Sequence, residues 1–141
     1  MLAEVPPRVI LDAGPLIGLF DRRDRHNADA RRGFQQLVRG RAAASVPVPI
    51  VYEVYKWLVY EVSPVAARLG LARMRQNLQI LPVERTDIDE LANLVGTMPR
   101  WAGSLEDATV AMLGLRTETP VWTMNYRDLA AFRNLRFWTP A

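Results

Sequence analysis

The sequence predicts an α/β fold, a three-layer sandwich with a mostly parallel central sheet of about five strands. Three observations carry that expectation. Val9-Ile10-Leu11 is an unbroken branched apolar run, as a strand covered on both faces requires. Short apolar segments then alternate with stretches of helical spacing, the pattern of successive strand–helix units. Acids directly follow two of the strand candidates, at Asp12 and at Asn125 to Asp128, where open α/β sheets collect their ligands.

Each element has its own reason. Asp12 ends the first strand, and Gly14-Pro15 opens a short helix through Phe20, with Asp12 placed to cap it. Ala30, Phe34, Leu37 and Val38 keep helical spacing in a second helix over 25–39. Residues 43–46 form a short strand candidate, ended by the prolines at 47 and 49. Val51, Val54, Tyr55, Leu58, Val59 and Val62 make a complete helical stripe. Ser63-Pro64 stops that helix and starts the next, with Ser63 as N-cap and Pro64 at the first helical position. Residues 78–83 read as a strand. Thr86 and Asp89 have capping-box spacing before a helix with the stripe Ile88, Leu91, Ala92 and Val95. Ser104 opens a further helix to about Thr117, residues 120–124 are a strand, Asn125 starts a helical turn, and 135–138 form a last edge strand. No repeat, linker or low-complexity segment interrupts this order, so residues 1–141 are expected to be one domain.

Composition removes several chemistries. The 141 residues are half apolar with scattered charge, and no apolar run is long enough to span a bilayer. Glu4 and a proline pair stand where a signal peptide would have its apolar core, so a cytoplasmic location is expected. With no cysteine and one histidine, His26, there is no disulfide framework, thiolate nucleophile or Cys/His metal site. A Ser-His-Asp triad is also disfavoured. Any metal must be held by oxygen, which favours Mg²⁺ or Mn²⁺. The net charge is +3 and the basic residues are nearly all arginine, with Lys56 the single lysine. Arg22, Arg23, Arg25, Arg31, Arg32, Arg39 and Arg41 crowd one segment; guanidinium forks suit phosphate, and a solvated helix face gives the same pattern. Trp57, Trp101, Trp122 and Trp138 are expected in the core or at an interface, and His26 at the surface.

The acids converge. Glu53 lies in the first turns of the helix after the second strand, and Asp107 in the first turn of the helix that feeds the Val121 strand. Asn125 and Asp128 follow that strand. Together with Asp12 they are far apart in sequence yet all fall at the carboxyl edge of one sheet. Asp107 also has the spacing to close a capping box with Ser104. Glu53 points away from the main stripe beside Ile50, Trp57 and Tyr60, an unusual place for an idle acid. Gathered carboxylates repel and raise each other's pKa, a cost that a divalent cation removes.

Four segments carry a resemblance. They are Val9-Ile10-Leu11-Asp12-Ala13-Gly14-Pro15-Leu16-Ile17, the helix with Glu53, Leu105-Glu106-Asp107-Ala108-Thr109-Val110-Ala111, and Thr123-Met124-Asn125-Tyr126-Arg127-Asp128-Leu129. Together they resemble the PIN-domain ribonucleases, and within them the VapC-type toxins of bacterial type II toxin–antitoxin pairs. The resemblance implies a PIN-like fold and Mg²⁺-dependent endoribonuclease activity, with Mn²⁺ as substitute. It implies RNA as substrate, a cognate antitoxin, a homodimer and no membrane. Asp12, Glu53 and Asp107 match its three core acids, and Asn125 falls at the fourth position, an acid or Asn after Thr, so this chain departs from the all-acidic version there. Asp12 and Asp107 would then hold one metal, and Glu53 would orient or deprotonate the attacking water. Thr123 and Asp128 would support the site, and Asn125 or Asp128 would complete a second metal position. Asn125 keeps a second reading open, a PIN-fold RNA-binding or regulatory module of weak or no activity. A haloacid-dehalogenase-type phosphatase needs a second Asp where this chain has Gly14.

Overall fold

In the computed structural model, which describes residues 4–141, the first apolar run forms β1 (Arg8–Leu11), with Val9, Ile10 and Leu11 all buried. Both faces of this strand are covered, which is why it reads as a continuous apolar run and not as an alternating one. β2 (Ala43–Pro47), β3 (Gln79–Leu81) and β4 (Val121–Trp122) complete a sheet in the order β3-β2-β1-β4, parallel at every pairing. Helices flank the sheet in the expected three-layer arrangement. The segment expected as a last edge strand is reduced to one parallel bridge, Val121 to Phe137. The sheet therefore has four strands and a bridge.

The helices follow the predicted order: α1 (Ala13–Phe20), α2 (Asn27–Arg39), α3 (Val48–Glu61), α4 (Pro64–Asn77), α5 (Arg85–Gly96), α6 (Leu105–Arg116) and the single turn α7 (Tyr126–Leu129). Ser63 caps α4 as expected, its hydroxyl accepting from the Ala66 N–H at 3.0 Å. Pro47 does not end β2 early. It pairs with Leu81 as the last residue of the strand, and Pro49 sits in the first turn of α3, where a missing N–H costs nothing.

The α5 capping assignment needs correction. The helix begins at Arg85, and its box is framed by Glu84 and Asp87, with the Glu84 N–H donating to the Asp87 carboxylate at 2.8 Å. Thr86 and Asp89 do not form it. Asp87 is also held by Arg116 of α6 at 2.7 Å, and Arg116 reaches Glu90 as well. That clasp turns the Asp87–Leu91 face inward, so Ile88 and Ala92 of the expected stripe face solvent. These charged contacts hold the Asp87 carboxyl below the usual carboxylate range, the backbone N–H of Glu84 first and Arg116 next.

Trp122 and Trp138 are buried as expected, with ring centroids 5.2 Å apart, and Phe34 of α2 lies 4.9 Å from Trp122. Gly33 of α2 lets that indole approach: a Cβ there would fall inside the Trp122 ring and against Pro140. Gly33→Ala is therefore expected to destabilise the fold by about 1–3 kcal/mol through overpacking, despite alanine's better helix propensity. Chemical denaturation with an unchanged slope but an earlier midpoint checks this. Trp57 and Tyr60, in contrast, stand at the surface of α3, Tyr60 being 78% exposed.

Candidate active site

Parallel register sets the centre of the site. Leu11 of β1 lies opposite Trp122 of β4, so the next residues out of each strand, Asp12 and Thr123, emerge side by side. The Thr123 hydroxyl donates to Asp12 Oδ2 at 2.7 Å and accepts from the Asn125 N–H at 2.8 Å. Asp12 Oδ1 accepts from the Ala13 N–H at 2.8 Å, so Asp12 is also the N-cap of α1. The expected cap is formed, and the same side chain stands at the carboxyl edge of the sheet. It is only 4% exposed, and burial raises its pKa, with repulsion from Asp107 adding to the effect.

Glu53 arrives from the second turn of α3. This helix contacts α6, which in turn packs on β1 and β4 and brings Asp107 to the same rim. Glu53 is partly buried, and its Oε2 is buried without a hydrogen-bond partner. Its pKa is pushed up to about 7, first by burial and then by the charges of Asp12 and Asp107. Asp107 sits in the first turn of α6, where its N–H donates to the Ser104 hydroxyl at 3.1 Å. Its carboxyl is raised by burial, with Asp128 and Glu106 adding repulsion. Asn125 precedes α7 and donates from Nδ2 to Asp128 Oδ2 at 3.0 Å. Asp128 is thus tied to Asn125 as a side-chain pair, and no side chain caps α7.

The structure therefore brings Asp12, Glu53, Asp107, Thr123, Asn125 and Asp128 to one edge. In this arrangement no three His, Cys, Asp or Glu side chains among the described residues close into a metal-holding set. The two oxygens of Asp12 are engaged by the Ala13 N–H and the Thr123 hydroxyl. The chemistry of the donors nonetheless fits a hard cation. All are oxygens, one buried oxygen is orphaned, and three carboxyls are raised by burial and by neighbouring acids. Thr123 is the support of this edge. Thr123→Val strips one acceptor from the Asn125 N–H and one donor from Asp12, and is expected to lower any metal-dependent turnover about 10- to 100-fold. Thr123→Ser should restore it.

Several rim residues were not singled out by sequence. A groove beside Glu53 is lined by Tyr52, Tyr55, Lys56 and Glu106. A cleft on the Asp128 side is lined by Arg100, Arg127 and Trp101. The only sequence signals were proximity: Lys56 lies one turn from Glu53, and Glu106 adjoins Asp107. The arginines crowded between positions 22 and 41 are exposed but line neither of these two openings.

No protein-family model and no curated protein matches the sequence significantly. Solved structures do match. VapC20 of Mycobacterium tuberculosis, a sarcin-ricin loop cleaving toxin, aligns with a TM-score of 0.80 and 14% identity, over 94% of this chain and 99% of that one. The fold is PIN-like. VapBC2 of Rickettsia felis, bound to a promoter DNA fragment, matches with a TM-score of 0.72 and 12% identity, over 93% of this chain and 97% of that one. A toxin–antitoxin complex from Klebsiella pneumoniae matches with a TM-score of 0.63 and 20% identity, over 94% and 98% respectively. The PIN-like fold thus accounts for nearly the full length of the chain. The acid rim lies at the carboxyl edge of its sheet, where open α/β sheets place ligands. No described helix is long and apolar enough to cross a membrane.

Proposed function

We propose that this chain is a metal-dependent endoribonuclease, the toxin of a toxin–antitoxin pair. The observation that carries this reading is the buried, unpartnered oxygen of Glu53 beside Asp12 and Asp107, three raised carboxyls on a PIN-like fold. Asp12 and Asp107 would hold Mg²⁺ or Mn²⁺, with Asn125 or Asp128 completing a second position. The cation would supply Lewis-acid stabilisation of charge developing on the phosphate oxygens.

The chain's own residues do the rest. Glu53, whose buried Oε2 has no partner in the protein, takes the proton of the attacking water. Thr123 locks the Asp12 carboxylate in one rotamer and keeps it from swinging away. Lys56, Arg100 and Arg127 draw the phosphate backbone towards an otherwise acidic edge. Residues 1–141 act as one cytoplasmic domain, as a homodimer held silent by its antitoxin.

A gel of RNA substrates with Mg²⁺, with Mn²⁺ and with excess chelator tests the reading. Cleavage in either metal and none in chelator is expected; undiminished cleavage in chelator overturns it. One observation favours a second reading, an RNA-binding module of weak activity: the carboxylates stand without a closed ligand set and Asn125 is neutral. Stoichiometric RNA binding with no turnover in Mn²⁺ would establish that instead.

A further inference from the structure

We infer that the groove beside Glu53 is a nucleobase subsite, which takes the RNA base flanking the scissile phosphate and selects a base with an exocyclic amine, guanine above the others. The inference rests on the ribonuclease reading and adds to it the determinant of sequence preference. The groove has a volume of about 630 Å³, within the range of small-ligand sites. It shares Glu53 with the acid rim, so an RNA strand whose phosphate reaches Asp12 and Asp107 carries a neighbouring nucleotide past it.

The lining joins apolar Pro49, Val51 and Leu71 to two tyrosines and three charged groups, a mixture that suits a flat base with a polar edge. Tyr52 is 72% exposed, so a large aromatic ring is held in solvent where it does no packing work. It sits one turn from Lys56 on the same face of α3, and Tyr55 also lines the groove. An exposed tyrosine offers a stacking platform, and a lysine beside it meets the phosphate of the stacked nucleotide. Lys56 is the only lysine of the chain.

Selectivity follows from Glu106, which lines the opposite side from the first turn of α6. An ionised carboxylate only accepts hydrogen bonds. Guanine offers N1–H and N2–H side by side, a match for two carboxylate oxygens. Adenine and cytosine offer one amine each, whereas uracil flanks its single N–H with two carbonyl oxygens that repel the carboxylate.

The test digests a randomised RNA pool with the wild type and reads the bases flanking each cut by sequencing. The wild type should show guanine enriched at one flanking position and uracil depleted there. Tyr52→Ala should cleave about tenfold more slowly and flatten that profile, Tyr52→Phe should keep both rate and profile, and Glu106→Gln should redistribute the flanking base. Because Tyr52 is exposed, its truncation leaves the core untouched, and a thermal melt of each variant verifies this. RNA binding by the Asp12→Asn protein, with and without Tyr52→Ala, reads the groove independently of turnover. Metal-dependent cutting by the wild type with the same rate and profile in Tyr52→Ala overturns the subsite and leaves the ribonuclease reading standing. A Tyr52→Ala protein with an unchanged profile but an altered oligomeric state assigns the groove to a protein interface and equally overturns it. Failure of the wild type to cut any RNA, with binding unaffected by Tyr52→Ala, overturns both.

Discussion

Asp12→Asn is expected to slow RNA cleavage by at least about 100-fold while leaving the chain folded. Asp12 is the most buried of the rim acids, and its charge has no compensating cation in the protein itself. The amide conserves shape. Its oxygen still accepts from the Ala13 N–H, and its NH₂ donates to the Thr123 hydroxyl oxygen, which has a second lone pair beyond the one taken by Asn125. What disappears is the negative charge, the quality a hard cation needs. Without metal, the neutral side chain also escapes the desolvation that burdens the carboxylate, so the variant should melt at the same or a higher temperature than wild type near neutral pH. Loss of activity together with loss of fold would refute this account of the residue. Growth of cells expressing each protein without a partner gives a second readout: arrest with the wild type and relief with the variant.

Metal-free protein is expected to lose stability as pH rises from about 4.5 towards 7, and added Mn²⁺ should reverse that loss. Glu53 has a folded-state pKa of about 7 against the ordinary 4.5 of a free glutamate. Between those values the folded chain binds more protons than the unfolded chain, so stability falls with rising pH. The raised carboxyls of Asp12 and Asp107 act in the same direction, starting from the lower ordinary value of an aspartate. A bound divalent cation favours the ionised forms and inverts the sign. Thermal melts from about pH 5 to pH 8, in chelator and in Mn²⁺, should therefore diverge by several degrees at the alkaline end. Glu53→Gln should flatten the chelator curve above pH 5. Parallel curves with and without metal would show that the rim acids do not gather around a cation.

Much of this protein was legible before any coordinates. Val9-Ile10-Leu11 announced a strand covered on both faces, because only such a strand tolerates apolar residues at consecutive positions. Ser63-Pro64 fixed a helix start by local chemistry alone, and the hydroxyl bond to Ala66 is the one the spacing required. The rim followed from topology, since strands that alternate with helices must return every strand end to the same edge.

Other features needed the fold. The Thr86 and Asp89 spacing was a valid capping pattern, but Arg116 lies 29 residues from Asp87, and that long-range clasp selected the competing box. The strand at 135–138 shrank to one bridge because β4 itself pairs over only two residues. Trp57 and Trp122 are chemically alike in the sequence, yet one lies at the surface of α3 and the other is wedged between Phe34 and Trp138. The sequence by itself determined at which edge the candidate acids stand, because strands that alternate with helices in a parallel sheet end on the same side. Their electrostatics depended on tertiary structure, because the burial of Asp12 and the orphaned oxygen of Glu53 arise only when α6 packs on β1 and β4 and α3 packs on α6.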